Sequence, residues 1–176
     1  MTATAPDYIE PVVGWRIWYA TSARGMLLLE SVIYRTRWPQ HDPLVATCSC
    51  LRLPIWPFTR RERHEAPAET CHCGIHAALL PVAGAYLPDR LGLTDLIPVV
   101  GRVSLWGIVH EHKRGWRASL AYPERLFVPT LSLSSSQATR VLAGLAGYGV
   151  PVTAVDGATS HEVIAAVKEE VVGVPV

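Results

Sequence analysis

The sequence predicts an α+β protein: a β-rich core of antiparallel hairpins, which can close into a small barrel, followed by an α-β-α tail. Three observations carry this prediction. Two stretches of strand-type composition, 15–34 and 99–122, each fold back around a Gly-containing turn. Apolar spacing changes from two to helical beyond residue 131. Two capping boxes, Ser134 with Gln137 and Thr159 with Glu162, then mark helix starts. The division this suggests is a β-rich unit over 1–130 and an α-β-α appendage over 131–176, packed on the first.

Each element has a local reason. Trp15, Ile17 and Tyr19 fall on one face of a strand at period two. Thr21 to Gly25 reads as a turn, and Met26 to Tyr34 as the returning strand. Leu44 to Leu53 reads as a strand carrying Cys48 and Cys50. Pro54, Pro57 and the Arg-rich stretch 59–63 break that pattern into an exposed excursion. Gly74 to Leu80 reads as a short helix ended by Pro81, and Asp89 to Leu96 as a connector. Val99 to Glu111 is the strongest strand signal, with Val103, Leu105, Gly107 and Val109 alternating against Ser104, Trp106 and Ile108. Trp116 to Tyr122 returns from the turn at 112–115, and 126–128 adds a short strand. In the tail, a helix from Ala138 to Gly147 is closed by Gly149, Pro151 to Val155 is a strand, and a last helix runs to about Val171.

Composition limits the function. The chain has 176 residues, 49% apolar and 18% charged, which is ample material for a packed core. A net charge of +1 excludes nucleic-acid binding through bulk charge alone. The charge is uneven: 14–63 carries a local +5, all from Arg, whereas 131–176 carries −2. A solvated Arg-bearing face is the plain reading of the first stretch. No secretory pattern opens the chain and no apolar run reaches the roughly 20 residues of a membrane helix. The expectation is a cytoplasmic protein without a membrane partner, whose cysteines serve as metal ligands or thiols rather than disulfides.

The chemistry concentrates in one place. Four cysteines occur as Cys48-Ser-Cys50 and Cys71-His-Cys73, with His64 and His72 among them and His76 just beyond. Thiolate and imidazole are the ligands zinc takes in a closed tetrahedral structural site. Residues i and i+2 of an extended segment face the same side, so each C-x-C can aim two sulfurs at one ion. Two ligand sets satisfy the count: all four cysteines, or Cys48, His64, Cys71 and Cys73 with Cys50 spare. Spacing alone does not choose between them.

The stretch "ATCSC…HEAPAETCHCGIHA" resembles the pattern A-x-C…H-x-A-P-x3-C-x-C-G-[IL]-[YH]-A of small uncharacterised actinobacterial proteins. "VGRVSLWGIVHEHKRGWRASLAYPERL" is similar to their second block and "YGVPV" to a third, together about a third of the chain. The resemblance implies Cys48, His64, Cys71 and Cys73 as ligands. It departs at Cys50 and at His76, where Tyr is expected. It implies no activity.

Catalytic patterns fail by residue. A nucleobase deaminase needs H-x-E and P-C-x-x-C, whereas here Glu65 directly follows His64. H-E-x-x-H, the phosphate-binding glycine loops and G-x-S-x-G are absent. His110-Glu111-His112 places two imidazoles on one side of a strand end, an alternative site for metal-assisted hydrolysis. Trp106 and Trp116 flank that hairpin and read as cross-strand packing. Trp56, Arg60, Arg61 and Arg63 beside the cysteines form a candidate contact surface. The sequence therefore predicts a module stabilised by structural zinc, non-enzymatic, binding or regulatory, contacting a protein or nucleic acid, without an organic cofactor. The alternative is a hydrolase using His110, Glu111 and His112.

Overall fold

The computed structural model describes residues 10–48 and 64–172. Strands β1 (Val12–Ala23) and β2 (Met26–Ser31) form the first hairpin, in register from Ala23↔Met26 to Trp18↔Ser31. Arg24 and Gly25 both take positive φ, the turn that matches strand twist. The other edge of β1 pairs with β5 (Ile97–His112) from Val12↔Leu105 to Ala20↔Ile97.

The second hairpin joins β5 to β6 (Gly115–Pro129), and the expected separate strand at 126–128 is simply the end of β6. Two register shifts interrupt the pair. At one, Gly107 and Ile108 oppose Ser119 alone. Gly107 has φ +76, and a Cβ there would lie 2.2 Å from the Ser119 hydroxyl, so glycine is required. The other shift falls beside Pro123, which has no amide for the ladder.

Three short strands cover the second edge of β6 in turn. These are β4 (Ile75–Ala78) against 115–118, β3 (Leu44–Val45) against 120–121, and β7 (Val152–Val155) against 126–129. Because β4 also meets β1 at Trp15↔Ala78, the strands β1, β5, β6 and β4 form a ring. The helix expected over 74–80 is thus a strand. Ile75 and Ala77 are buried at the β6 edge, and backbone pairing there outweighs local helical preference. Pro81 starts α1 (Leu80–Gly84) rather than ending a helix, since the first turn needs no amide from it.

Both faces of the sheet are covered. Neighbouring residues separate into two cores: Trp18, Val99, Leu126 and Val128 on one side, Ile17, Val100 and Phe127 on the other. Helix α2 (Ser135–Leu145) supplies Val141 and Leu145 to the first core. Helices α1 and α3 (Ser160–Val172) supply Leu80, Ala83, Val163 and Val167 to the second. Strands buried on both faces read as continuous apolar runs, which is why alternation is clear only toward the solvated end of β5.

Both capping boxes form. Ser134 and Gln137 exchange side-chain and backbone bonds, and so do Thr159 and Glu162. Chain 131–172 is bound in by polar contacts as well. The Tyr148 hydroxyl accepts from the Leu29 amide at 2.8 Å and donates to the Trp38 carbonyl at 2.8 Å. Burial pushes the Tyr148 phenol up to about 12. Gln40 bridges the Leu27 and Gly144 carbonyls.

Candidate metal centre

Strand β6 brings the cysteine segments together. Strands β3 and β4 pair with adjoining stretches of it, so the chain leaving β3 and the chain entering β4 run side by side. The Ala46 amide extends the first pairing by donating to the Ser119 carbonyl at 2.8 Å. Cys48 follows this segment, and Cys71 and Cys73 precede β4. Gly74 makes the bend between Cys73 and the strand. Its φ is +119, and a Cβ would come within 3.0 Å of Pro67 and 3.3 Å of Arg117.

The ligand atoms of Cys48, His64, Cys71 and Cys73 all lie within 4.8 Å of one another. The Cys48 and Cys71 sulfurs are 3.8 Å apart, and His64 Nε2 lies 3.3 Å from Cys73 Sγ. A tetrahedron with metal–sulfur bonds of about 2.3 Å has sulfur–sulfur edges of about 3.8 Å, so the donor set fits a metal ion. Among the described residues this is the one grouping of three or more such ligands. Burial pushes the Cys73 thiol up; the Cys71 and Cys48 thiols push the same way, and the Ala68 amide opposes them. A cation at the centre reverses that balance, because a coordinated thiol loses its proton.

Among the described residues, the hydrophobic cluster around these ligands adds only the small side chains of Ala46, Ala66 and Ala68. The main support is Arg117 of β6, which is 5% exposed. Its NH1 group donates to the carbonyls of Cys71, Cys73 (3.1 Å) and Ala68 (3.5 Å). Its Nε donates to His112 Nε2 at 2.8 Å. With a divalent ion bound, a buried guanidinium fixed on the ligand loop would also offset the negative charge of three thiolates. The sequence signal for Arg117 is the one charged residue of the strand Trp116 to Tyr122, which is otherwise apolar but for Ser119; sequence reasoning missed it.

The other predicted residues are placed differently. Cys50, Trp56, Arg60, Arg61 and Arg63 lie outside the described residues, so the proposed contact surface does too. His76 is not a ligand: its Nε2 donates to the His72 carbonyl at 3.0 Å. His110 pairs across the ladder with Arg117, and the His112 ring nitrogen is taken by that guanidinium. A cation held there opposes a second metal at His112 Nε2, and His110, Glu111 and His112 form no grouping of three ligands among the described residues. Trp116 packs into the first core and over Gly14, where a Cβ would lie 3.2 Å from its ring. Of the early arginines, Arg35 and Arg37 both pair with the buried Glu30, at 2.6 and 3.4 Å.

No protein-family model, curated protein or solved structure matches the chain. No helix among the described residues is long and apolar enough to cross a membrane.

Proposed function

We propose that the protein is a zinc-stabilised, non-enzymatic binding or regulatory module that contacts a protein or nucleic-acid partner. The observation that supports it is the convergence of Cys48, His64, Cys71 and Cys73 within 4.8 Å. Three thiolates and one imidazole favour zinc and leave no open coordination position, the arrangement of a scaffold rather than a hydrolytic centre. The ion joins the chain after β3 to the chain before β4 and shapes the surface between them. Trp56, Arg60, Arg61 and Arg63, in the segment bracketed by Cys48 and His64, are the proposed partner contacts. Kinship with the actinobacterial proteins of the same motif belongs to this proposal.

Metal analysis of the purified protein tests it. About one zinc per chain is expected, released by a strong chelator with loss of structure. A metal-free preparation that is fully folded rejects the reading. Alanine at Arg60, Arg61 and Arg63 together is expected to weaken partner binding and flatten its salt dependence.

A further inference from the structure

A cleft of about 790 Å³ opens between β1, β4 and the turn of the β5–β6 hairpin. Its size is that of a small-molecule site, about 300–1,000 Å³. Cys73 of the ligand loop, Val82 and Ala83 of α1, and Tyr86 are among its lining residues. Its lining is lopsided in charge: three arginines, Arg16, Arg114 and Arg117, stand against one carboxylate, Glu69, with the imidazoles of His76 and His112 beside them. Among the described residues, none of these three arginines makes an ion pair.

The arginines are tied to neutral groups instead. Arg16 fills the gap where β1 and β4 diverge, donating to the His76 carbonyl and to Ser31 Oγ at 2.9 Å. Its Nε is buried with no partner, and burial lowers its pKa to about 10. Arg117 spends Nε and NH1 on His112 and the ligand loop, and its NH2 makes no hydrogen bond within the described residues. Arg114 is exposed at the hairpin turn. Between them stands His76, held below the usual imidazole value by burial first and then by Arg16, Arg117 and His112. Cations without counter-charges in a concave, partly desolvated space favour an anion strongly, because the local field is focused and poorly screened. Trp15, Tyr86 and Trp116 add flat apolar surface to the lining.

We infer that this cleft binds a small organic anion, a phosphate or carboxylate on a flat apolar body. Arg16, Arg114 and Arg117 hold the charged head by charge-assisted hydrogen bonds. Trp15, Tyr86 and Trp116 cover the body. The inference needs no bound ion, although Cys73 lines the cleft and Arg117 also braces the ligand loop.

The test is titration of the purified protein, with its native metal content, against phenyl phosphate, benzoate, inorganic phosphate and benzyl alcohol. Heat of binding and tryptophan fluorescence are read together. Phenyl phosphate is expected to bind at least about tenfold more tightly than inorganic phosphate, and benzyl alcohol not measurably. Arg114→Ala and Arg114→Glu alter an exposed position and are expected to keep the fold. Arg114→Ala should weaken phenyl phosphate by about tenfold, the loss of one charge-assisted contact, and Arg114→Glu by more. Absence of binding by every anion at millimolar concentration overturns the inference. So does binding that the two substitutions leave unchanged, or benzyl alcohol binding as well as phenyl phosphate. Metal content measured on the same sample reports on the zinc reading separately.

Discussion

The sheet with its two cores and the ligand loop at its edge are held together by different means. In the sheet, Trp18, Leu29, Leu126, Phe127, Leu145 and Val163 are fully buried, and each such side chain is worth about 1.5–3 kcal/mol of transfer from water. In the loop, the buried residues include Ala66, Pro67, Cys71 and Cys73, with Ala46, Cys48 and Ala68 against them. These side chains carry too little apolar area to offset the entropy of ordering the loop. What the described residues bring there instead is four ligand side chains converging within 4.8 Å and a guanidinium that donates to three carbonyls. On the proposed metal reading, hydrophobic pattern specifies one region and coordination chemistry the other.

That comparison can be broken, starting with the largest effect. Structural zinc sites carry about 10–16 kcal/mol of apparent binding free energy, so Cys71→Ser should abolish stoichiometric metal. Hydrogen exchange should then speed up over 64–78 and change little in β5 and α2. Cys50→Ser should keep the metal; an equal loss from both variants favours the four-cysteine set.

Leu145→Ala attacks the other region. It should cost about 3–5 kcal/mol in denaturant unfolding, as for large-to-small core changes, while the folded fraction keeps its zinc. Metal loss in step with unfolding from the folded state would show that the two regions are not separable.

Arg117→Met probes the join. Partners of metal ligands are typically worth about 10–100-fold in metal affinity, read by competition with a chelator. Arg117→Lys should recover only part, since one ammonium cannot span the carbonyls and His112 together. Metal affinity unchanged in Arg117→Met would reduce the guanidinium to packing.

The smallest effect is expected at a helix start remote from both. Ser134→Ala removes the cap of α2 and should cost about 1 kcal/mol in thermal or denaturant unfolding, with metal affinity unaltered.

Local chemistry was legible where neighbours in sequence are also neighbours in space. The Arg24-Gly25 turn, the 112–115 turn, both capping boxes and the C-cap at Gly149 (φ +69) follow from residues a few positions apart. The cysteine–histidine cluster was legible because soft ligands are scarce and here occur close together. The strand at 75–78 was not, because Ile75 to Ala78 gains its conformation from the edge of β6, some forty residues later. Arg117 and Arg16 were not, because an arginine in a strand announces neither a carbonyl cage nor a cleft.

The sequence by itself determined which segments are strands with tight turns, where the tail helices begin, and which side chains can ligate a soft metal. These depend on dihedral preference, capping and ligand chemistry, all of which act over short range. The tertiary structure decided that both sheet faces are covered, that three short strands share one edge of β6, and that uncompensated cations meet in one cleft. Those features arise when backbone amides and carbonyls find partners far along the chain, and no local pattern encodes which partner that will be.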